Sequence, residues 1–165
     1  MQPMSLDPSA AFHAHDHSAC AQTALEQAEK ICAKAGARFT PVRRRTLEIL
    51  LAEHRALGAY DVLDRLAEDG FGKQPPVAYR ALDFLVEHGL AHRIRRLNAF
   101  AACTHPQDAH APVFLICSDC DAVAEAPGGT VRDALEQAAG DIGFSVARAS
   151  IEAVGLCPAC TEAAA

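Results

Sequence analysis

Residues 103–125 read CTHPQDAHAPVFLICSDCDAVAE, and two metal-ligand patterns overlap in them. In the first pattern, Cys117 and Cys120 form a Cys-x-x-Cys pair, and Cys157 and Cys160 supply a second pair near the C-terminus. A gap of two residues lets both sulfurs of a pair reach one ion, and two pairs complete a tetrahedron with no open position. The spacing therefore predicts a structural zinc site that ties two distant segments together.

The alternative for these cysteines is a set of redox dithiols. The surrounding sequence lacks the thioredoxin-like βαβ pattern in which such dithiols are usually found. A chain of 165 residues with seven cysteines and no visible secretory signal also favours zinc over disulfides. Cys20 and Cys32 lie outside the pairs, and we expect both to be free thiols in or near the first helix.

The second pattern consists of donors of mixed type around the first cysteine pair, namely His92, Cys103, His110 and Glu125. Each of them alone is more typical of an ordinary strand, core or surface residue. Together they lie in the part of the sequence where the two halves of the chain meet. A ligand set of two nitrogens, one thiolate and one carboxylate suits zinc better than manganese or magnesium. We therefore predict two zinc ions per subunit, one structural and one regulatory, with His105 as a rival ligand.

Upstream of this stretch the chain has the pattern of a helical domain. Apolar residues recur at helical spacing, and Gly36 and Gly89 stand where helices should end. Thr40 and Pro41 are typical of an N-cap and a first helical residue. The predicted helices are 19–35, 41–51, 58–68 and 76–89.

After the last helix, the spacing of apolar residues is no longer helical. The new pattern predicts a β-hairpin, with strands at 92–95 and 100–103 around a turn. The last three of these helices, followed by a basic hairpin, form the winged-helix variant of the helix-turn-helix. Tyr79 and Arg80 lie near the start of the last helix, from where an arginine can bond a guanine edge. This order of elements predicts a DNA-binding domain.

The formal charge of −6 is unevenly distributed. Up to Arg96 there are 13 Lys and Arg residues against 12 Asp and Glu, and after it there are 2 against 9. The basic groups that could meet an anionic polymer therefore lie in the first part. The hairpin would carry Arg93, Arg95 and Arg96 towards the DNA backbone or minor groove. Arg43 and Arg44 fit phosphate contact and a solvated face equally well.

The C-terminal part predicts a small α/β domain with a three-stranded sheet. Strands are expected at 113–116, 121–125 and 143–154, with a helix at 131–139 that has Thr130 as its N-cap. The open edges of so small a sheet favour pairing across a twofold axis, and hence a homodimer.

The predicted fold class is α+β, with two functional domains. A zinc ion that joins them would fix the spacing of the two recognition helices in a dimer and couple zinc binding to DNA affinity. No apolar run is long enough to span a bilayer, so we expect a cytoplasmic protein without membrane contact. The predicted organisation is a flexible tail at 1–18, a winged-helix DNA-binding domain at 19–99, a hinge at 100–104 and a zinc-stapled dimerisation domain at 105–165.

An enzyme is not expected. Four protein ligands leave no place for a reactive water on the ion. A deaminase would need a His-x-Glu ahead of Pro-Cys-x-x-Cys, and the chain has Cys157-Pro158-Ala159-Cys160 without one. A zinc-dependent hydrolase or deaminase is therefore the less favoured alternative.

From about residue 22 onward the sequence resembles the ferric uptake regulator family. The resemblance rests on Arg38-Phe39-Thr40-Pro41-x-Arg43, on Ala78-Tyr79-Arg80-Ala81-Leu82 and on the two cysteine pairs. Residues 79–85 and 151–157 are most similar to the zinc uptake regulator (Zur) branch. The resemblance implies a homodimeric, zinc-activated repressor of zinc uptake genes, active in zinc homeostasis, that binds an AT-rich inverted repeat. It places the sensing ligands on His92, Cys103, His110 and Glu125, the structural ligands on Cys117, Cys120, Cys157 and Cys160, and DNA contacts on Tyr60 and Arg80.

The sequence departs from the family pattern in two places. Val77 and Ala78 replace the usual Thr-Val before Tyr79-Arg80. Asp64 matches one half of an Asp–Arg pair that joins neighbouring dimers on DNA, but Ala67 stands in the place of the arginine, so two dimers per operator remain an open possibility. The few histidines at 104–110 favour zinc over the iron, manganese or peroxide to which other regulators of this fold respond.

Overall fold

The computed structural model describes residues 12, 17–53, 55–106 and 112–164. Two compact units divide the chain, one formed by residues 13–107 and the other containing residues 108–165, and we call them the N-terminal and C-terminal units. His110 lies outside the described residues, as does most of the predicted tail at 1–18.

The N-terminal unit is built from helices that are followed by a hairpin. Proline occupies the first turn of α2 and of α4, where the missing N–H costs no hydrogen bond. Gly89 adopts a left-handed φ of 69° after α4, and Leu90 N donates to Leu85 O at 2.8 Å, which closes the helix end. The elements are α1 (His17–Lys34), α2 (Pro41–Leu51), α3 (Ala59–Glu68), α4 (Pro75–Glu87), β1 (Ala91–Ile94) and β2 (Ala99–Ala102).

The apolar faces of these helices form the core of the N-terminal unit. Val62 and Leu66 of α3 and Leu82 and Leu85 of α4 are completely buried. Antiparallel pairing of β1 with β2 gives the predicted hairpin, and an isolated bridge between Leu57 and Phe100 attaches the segment before α3 to β2. The unit therefore has the winged-helix arrangement that the sequence predicts.

The C-terminal unit is a three-stranded sheet with two helices. β3 lies at its centre, antiparallel to β4 and parallel to β5. This arrangement confirms the predicted α+β class. The elements are β3 (Pro112–Cys117), β4 (Val123–Pro127), α5 (Gly129–Asp141), β5 (Ile151–Gly155) and α6 (Pro158–Ala164).

Three local predictions for the C-terminal unit are wrong. The strand expected at 143–154 is limited to β5, because Gly143 has a left-handed φ of 75° and the next residues are irregular. α5 begins at Gly129 with Gly128 as its N-cap, so Thr130 lies inside the first turn. The short helix α6 was not expected. Across the described residues, every helix is too short or too polar to cross a membrane.

The predicted hinge at 100–104 overlaps β2, since residues 100–102 belong to that strand. The boundaries of the functional domains remain a prediction.

Candidate metal sites and nucleic-acid interface

The sheet register of the C-terminal unit brings the two cysteine pairs together. Cys117 is the last residue of β3 and pairs with Gly155, the last residue of the parallel strand β5. Ser118 N donates to Gly155 O at 2.8 Å, which holds the two strand ends side by side. Cys120 lies three residues after the end of β3, Cys157 lies two residues after the end of β5, and Cys160 lies in the first turn of α6. All four Sγ atoms lie within 4.8 Å of one another.

The geometry of the four sulfurs fits a tetrahedral zinc ion. Zn–S bonds of about 2.3 Å imply sulfur–sulfur edges of about 3.8 Å. The Sγ atoms of Cys120 and Cys157 are 3.8 Å apart, and all four cysteines are free thiols. Four sulfur ligands would fill the tetrahedron, which is the coordination of a structural site and leaves no position for a reacting group.

Shared hydrogen bonds shift the pKa values of Cys117 and Cys160 in opposite directions. Backbone hydrogen bonds, the first from Cys157 N at 3.4 Å and the next from Cys120, lower the pKa of Cys117 to about 6. Hydrogen bonds with the side chains of Cys157, Cys117 and Cys120 raise the pKa of Cys160. A bound divalent cation would favour the thiolate form of the four cysteines.

Two of the four predicted sensing ligands lie next to each other in the N-terminal unit. His92 is on β1, and Cys103 follows β2 with its N–H donating to Leu90 O at 2.9 Å. This register places both side chains on one face of the hairpin. A ring nitrogen of His92 and Sγ of Cys103 lie within 4.8 Å, with the thiol only 3 % exposed. A half-buried imidazole beside a buried thiol is a donor pair that suits zinc.

The remaining candidate ligands among the described residues are Glu125 and His105. Glu125 is a half-buried residue of β4, opposite Phe114 of β3. The rival ligand His105 is half-buried, and its Nδ1 is 2.9 Å from the hydroxyl oxygen of Thr104. The position of His110 is outside the described residues, so the choice between the two histidines remains a prediction.

The candidate DNA contacts on the helices and the hairpin are exposed. Tyr60 at the start of α3 is 63 % exposed, and Tyr79 in α4 is 41 % exposed. Arg80 is also exposed and, among the described residues, forms no ion pair. Arg95 is an exposed residue of the turn between β1 and β2. These side chains are accessible to a polymer that approaches the N-terminal unit.

The predicted contacts Arg43 and Arg44 are half-buried and are bonded to protein groups. Arg44 forms ion pairs with Glu29 of α1 and, at 3.3 Å, with Glu48 of α2. Arg43 donates to the carbonyl of Arg38, and its guanidinium carbon lies 3.6 Å from the centre of the Phe84 ring. Sequence analysis missed the contact with Phe84, because a residue pattern carries no signal for a pairing between two separate helices.

Comparisons of the sequence and of the structure with known proteins agree on the same family. A sequence model of the ferric uptake regulator family matches residues 34–154. The chain is 41% identical over 142 residues to the zinc uptake regulation protein of Escherichia coli (strain K12), covering 86% of this chain and 83% of that protein. A solved zinc uptake regulator complexed with zinc and DNA is 40% identical, with a TM-score of 0.82 over 87% of this chain and 97% of the other. The crystal structure of holo XcZur has 35% identity and a TM-score of 0.76 over 84% of this chain and 96% of the other.

Proposed function

Because the chain belongs to the ferric uptake regulator family, we propose that it is a zinc-responsive transcriptional repressor of zinc uptake genes. Members of this family are regulators of transcription, and this chain is not an enzyme. The observation that carries the proposal is the similarity, over 87% of the chain, to a regulator in complex with zinc and DNA. Repression of zinc uptake by the zinc-bound form would keep the zinc content of the cytoplasm constant.

Each subunit binds two zinc ions in this proposal. The four-cysteine site holds the structural ion, for which the sulfur geometry is suitable. The regulatory ion takes His92, Cys103, His110 and Glu125 as ligands. The proximity of His92 to Cys103 and the low exposure of the thiol support the assignment of that pair.

The regulatory ion couples zinc to DNA through the relative position of the two functional domains. Its ligands come from both sides of the proposed hinge at 100–104. An ion that holds them together favours one arrangement of the winged-helix domain (19–99) and the dimerisation domain (105–165). In a dimer this arrangement sets the distance between two recognition helices, which must match two half-sites on the duplex.

The C-terminal unit supports a homodimer. Among the described residues, seven of the ten exposed large apolar side chains belong to it. β5 is an edge strand, and its Val154 is 52 % exposed. An edge strand with exposed apolar residues is suited to pairing with a second copy across a twofold axis. The seven residues are Leu115, Val131, Leu135, Ile142, Phe144, Val154 and Leu156.

The proposed DNA target is an AT-rich inverted repeat. Tyr60, Tyr79, Arg80 and Arg95 are the contacts that we expect to contribute most, since all four are exposed. Arg43 and Arg44 should contribute least as phosphate contacts, because their guanidinium groups already bond within the protein.

One dimer per operator is the simplest complex. A second dimer would need a substitute for the missing arginine at Ala67, and the nearby Arg65 is ion-paired with Glu53.

The test is to measure affinity for a DNA duplex before and after zinc is restored to protein that has lost its regulatory zinc. The duplex should be selected from a random pool by zinc-loaded protein. A rise of about 5- to 150-fold, the usual range for such coupling, is expected on addition of zinc. Fe²⁺ and Mn²⁺ serve as controls, and a response to these metals without one to zinc would favour the alternative regulators of this fold.

A further inference from the structure

We propose that Arg43 is a positioning residue for α4, the helix that carries Tyr79 and Arg80, and is not a phosphate contact. This inference rests on the proposed DNA-binding function. The guanidinium carbon of Arg43 lies 3.6 Å from the centre of the Phe84 ring, and Phe84 is only 8 % exposed. A cation over the face of a largely buried aromatic ring is attracted to it, most strongly where water is excluded.

The same guanidinium has a second attachment in the N-terminal unit. Its Nη1 donates to the carbonyl oxygen of Arg38, in the loop that precedes α2. Arg43 itself is in the first turn of α2, whereas Phe84 is in the last turn of α4. One half-buried side chain therefore joins the loop, α2 and α4.

Phe84 also contacts His88, which directly follows α4. Its ring stacks on the His88 ring with the centroids 4.1 Å apart and an interplanar angle of 29°. The Nδ1 atom of His88 is 2.9 Å from Phe84 O at the end of α4. Arg80 lies one helical turn before Phe84, so a rotation of α4 about its axis at Phe84 would redirect Arg80 by a similar angle.

The two arginines that follow Arg43 in the sequence are paired with carboxylates. Arg44 pairs with Glu29 and Glu48, and Arg45 pairs with Asp69 at 2.6 Å. Among the described residues Arg43 has an aromatic ring and a carbonyl as partners instead of a carboxylate. Its charge is therefore not neutralised by an ion pair, and the charge alone would suit a phosphate contact equally well. The experiment must separate loss of charge from loss of the ring contact.

Two substitutions of Arg43 make this separation. Arg43→Lys keeps the charge but loses the planar guanidinium, and Arg43→Met loses the charge but keeps a long side chain. Affinity is measured at several KCl concentrations, well below the melting temperature of each variant, for the selected duplex and for a random duplex of equal length. Both variants should bind the selected duplex about 3- to 30-fold more weakly. The salt dependence and the affinity for the random duplex should not change.

The ring contact is tested by Phe84→Leu. This variant should show the same loss, and Arg43→Lys should add nothing further in the Phe84→Leu background, because both changes remove one interaction. Arg38→Met is the matched control, since it removes a nearby exposed charge but keeps the backbone carbonyl that Arg43 uses.

The outcomes that would overturn the inference are distinct from failure of the proposed function. If Arg43 contacted phosphate, Arg43→Lys would retain affinity, and Arg43→Met would reduce the slope of log affinity against log salt by about 0.9 for each lost contact, on both duplexes. Additive losses of affinity in the double variant of Arg43→Lys and Phe84→Leu would also contradict the positioning role of Arg43. Failure of the wild-type protein to select any duplex with zinc would contradict the proposed function instead, and the random duplex would still reveal a phosphate contact.

Discussion

At the scale of single residues, the proposed regulatory site depends most on Cys103. A buried free cysteine is often only a small core residue. Cys103 differs because a ring nitrogen of His92 lies within 4.8 Å of its sulfur. A thiolate with an imidazole neighbour selects zinc over harder cations such as Mn²⁺.

We predict that Cys103→Ser abolishes the response to zinc while the protein stays folded. The hydroxyl of serine binds zinc poorly, so zinc should no longer raise the affinity for the selected duplex, which fluorescence anisotropy can measure. Cys20→Ser is the matched control and should retain the full response, because Cys20 is distant in sequence from both metal sites. A normal zinc response in Cys103→Ser would remove this residue from the site.

Arg80 is expected to determine sequence preference. Replacement of Arg80 by Ala should cost about 1–3 kcal/mol in binding and relax the preference at one base position in each half-site. Selection from a pool of duplexes with randomised positions measures both effects. Arg132→Ala in α5 is the control, because Arg132 is paired with Glu136 on the C-terminal unit and should not matter for DNA. An equal loss on all sequences would indicate a phosphate contact instead.

Sequence reasoning identified residue types better than residue partners. Cys-x-x-Cys spacing was sufficient to predict the four-sulfur cluster, because two residues between ligands is a local requirement. The contact of Arg43 with Phe84 joins residues far apart in the sequence, and no local rule connects them. His92 and Cys103 became credible only when the hairpin register placed them on one face.

At the scale of elements, the parallel pairing of β3 with β5 brings the four cysteines of the proposed structural zinc site together. The pairing of Cys117 with Gly155 brings two strand ends together and so places four sulfurs in one cluster. The starts of α2 and α4 and the end of α4 were predictable, since proline and glycine act locally at helix ends. The irregular residues 143–150 and the helix α6 were not, because their conformation is set by the course of the chain toward the cysteine cluster.

We predict that Cys157→Ser removes one zinc ion per subunit and disrupts the C-terminal unit. Without the ion, the three remaining thiols no longer hold β5 against β3, and a structural zinc site usually contributes much of the folding free energy of a small domain. Metal analysis and hydrogen exchange of β5 would measure the two effects. Ser118→Ala, which loses only a 3.2 Å hydrogen bond to Gly155 O, should keep its zinc. Retention of zinc and of β5 protection in Cys157→Ser would contradict the structural role.

At the scale of the whole molecule, the proposed regulation requires a dimer. We predict that Val154→Glu weakens the dimer about tenfold or more, because it would bury an unpaired charge where two edge strands meet. Sedimentation velocity over a range of protein concentrations would measure the dissociation constant. Ala33→Glu introduces the same charge on the exposed surface of α1 and should leave the dimer intact. An unchanged dimer in Val154→Glu would place the interface elsewhere.

In the proposed regulation, zinc at the regulatory site and DNA bind with a shared coupling free energy. The most direct measurement is the zinc affinity of the regulatory site, with the structural site filled, in the absence and presence of the selected duplex. Linkage requires DNA to raise zinc affinity by the same factor by which zinc raises DNA affinity. We expect equal factors for the wild-type protein and a factor of one for Cys103→Ser. A zinc affinity that does not change when DNA binds would contradict the account.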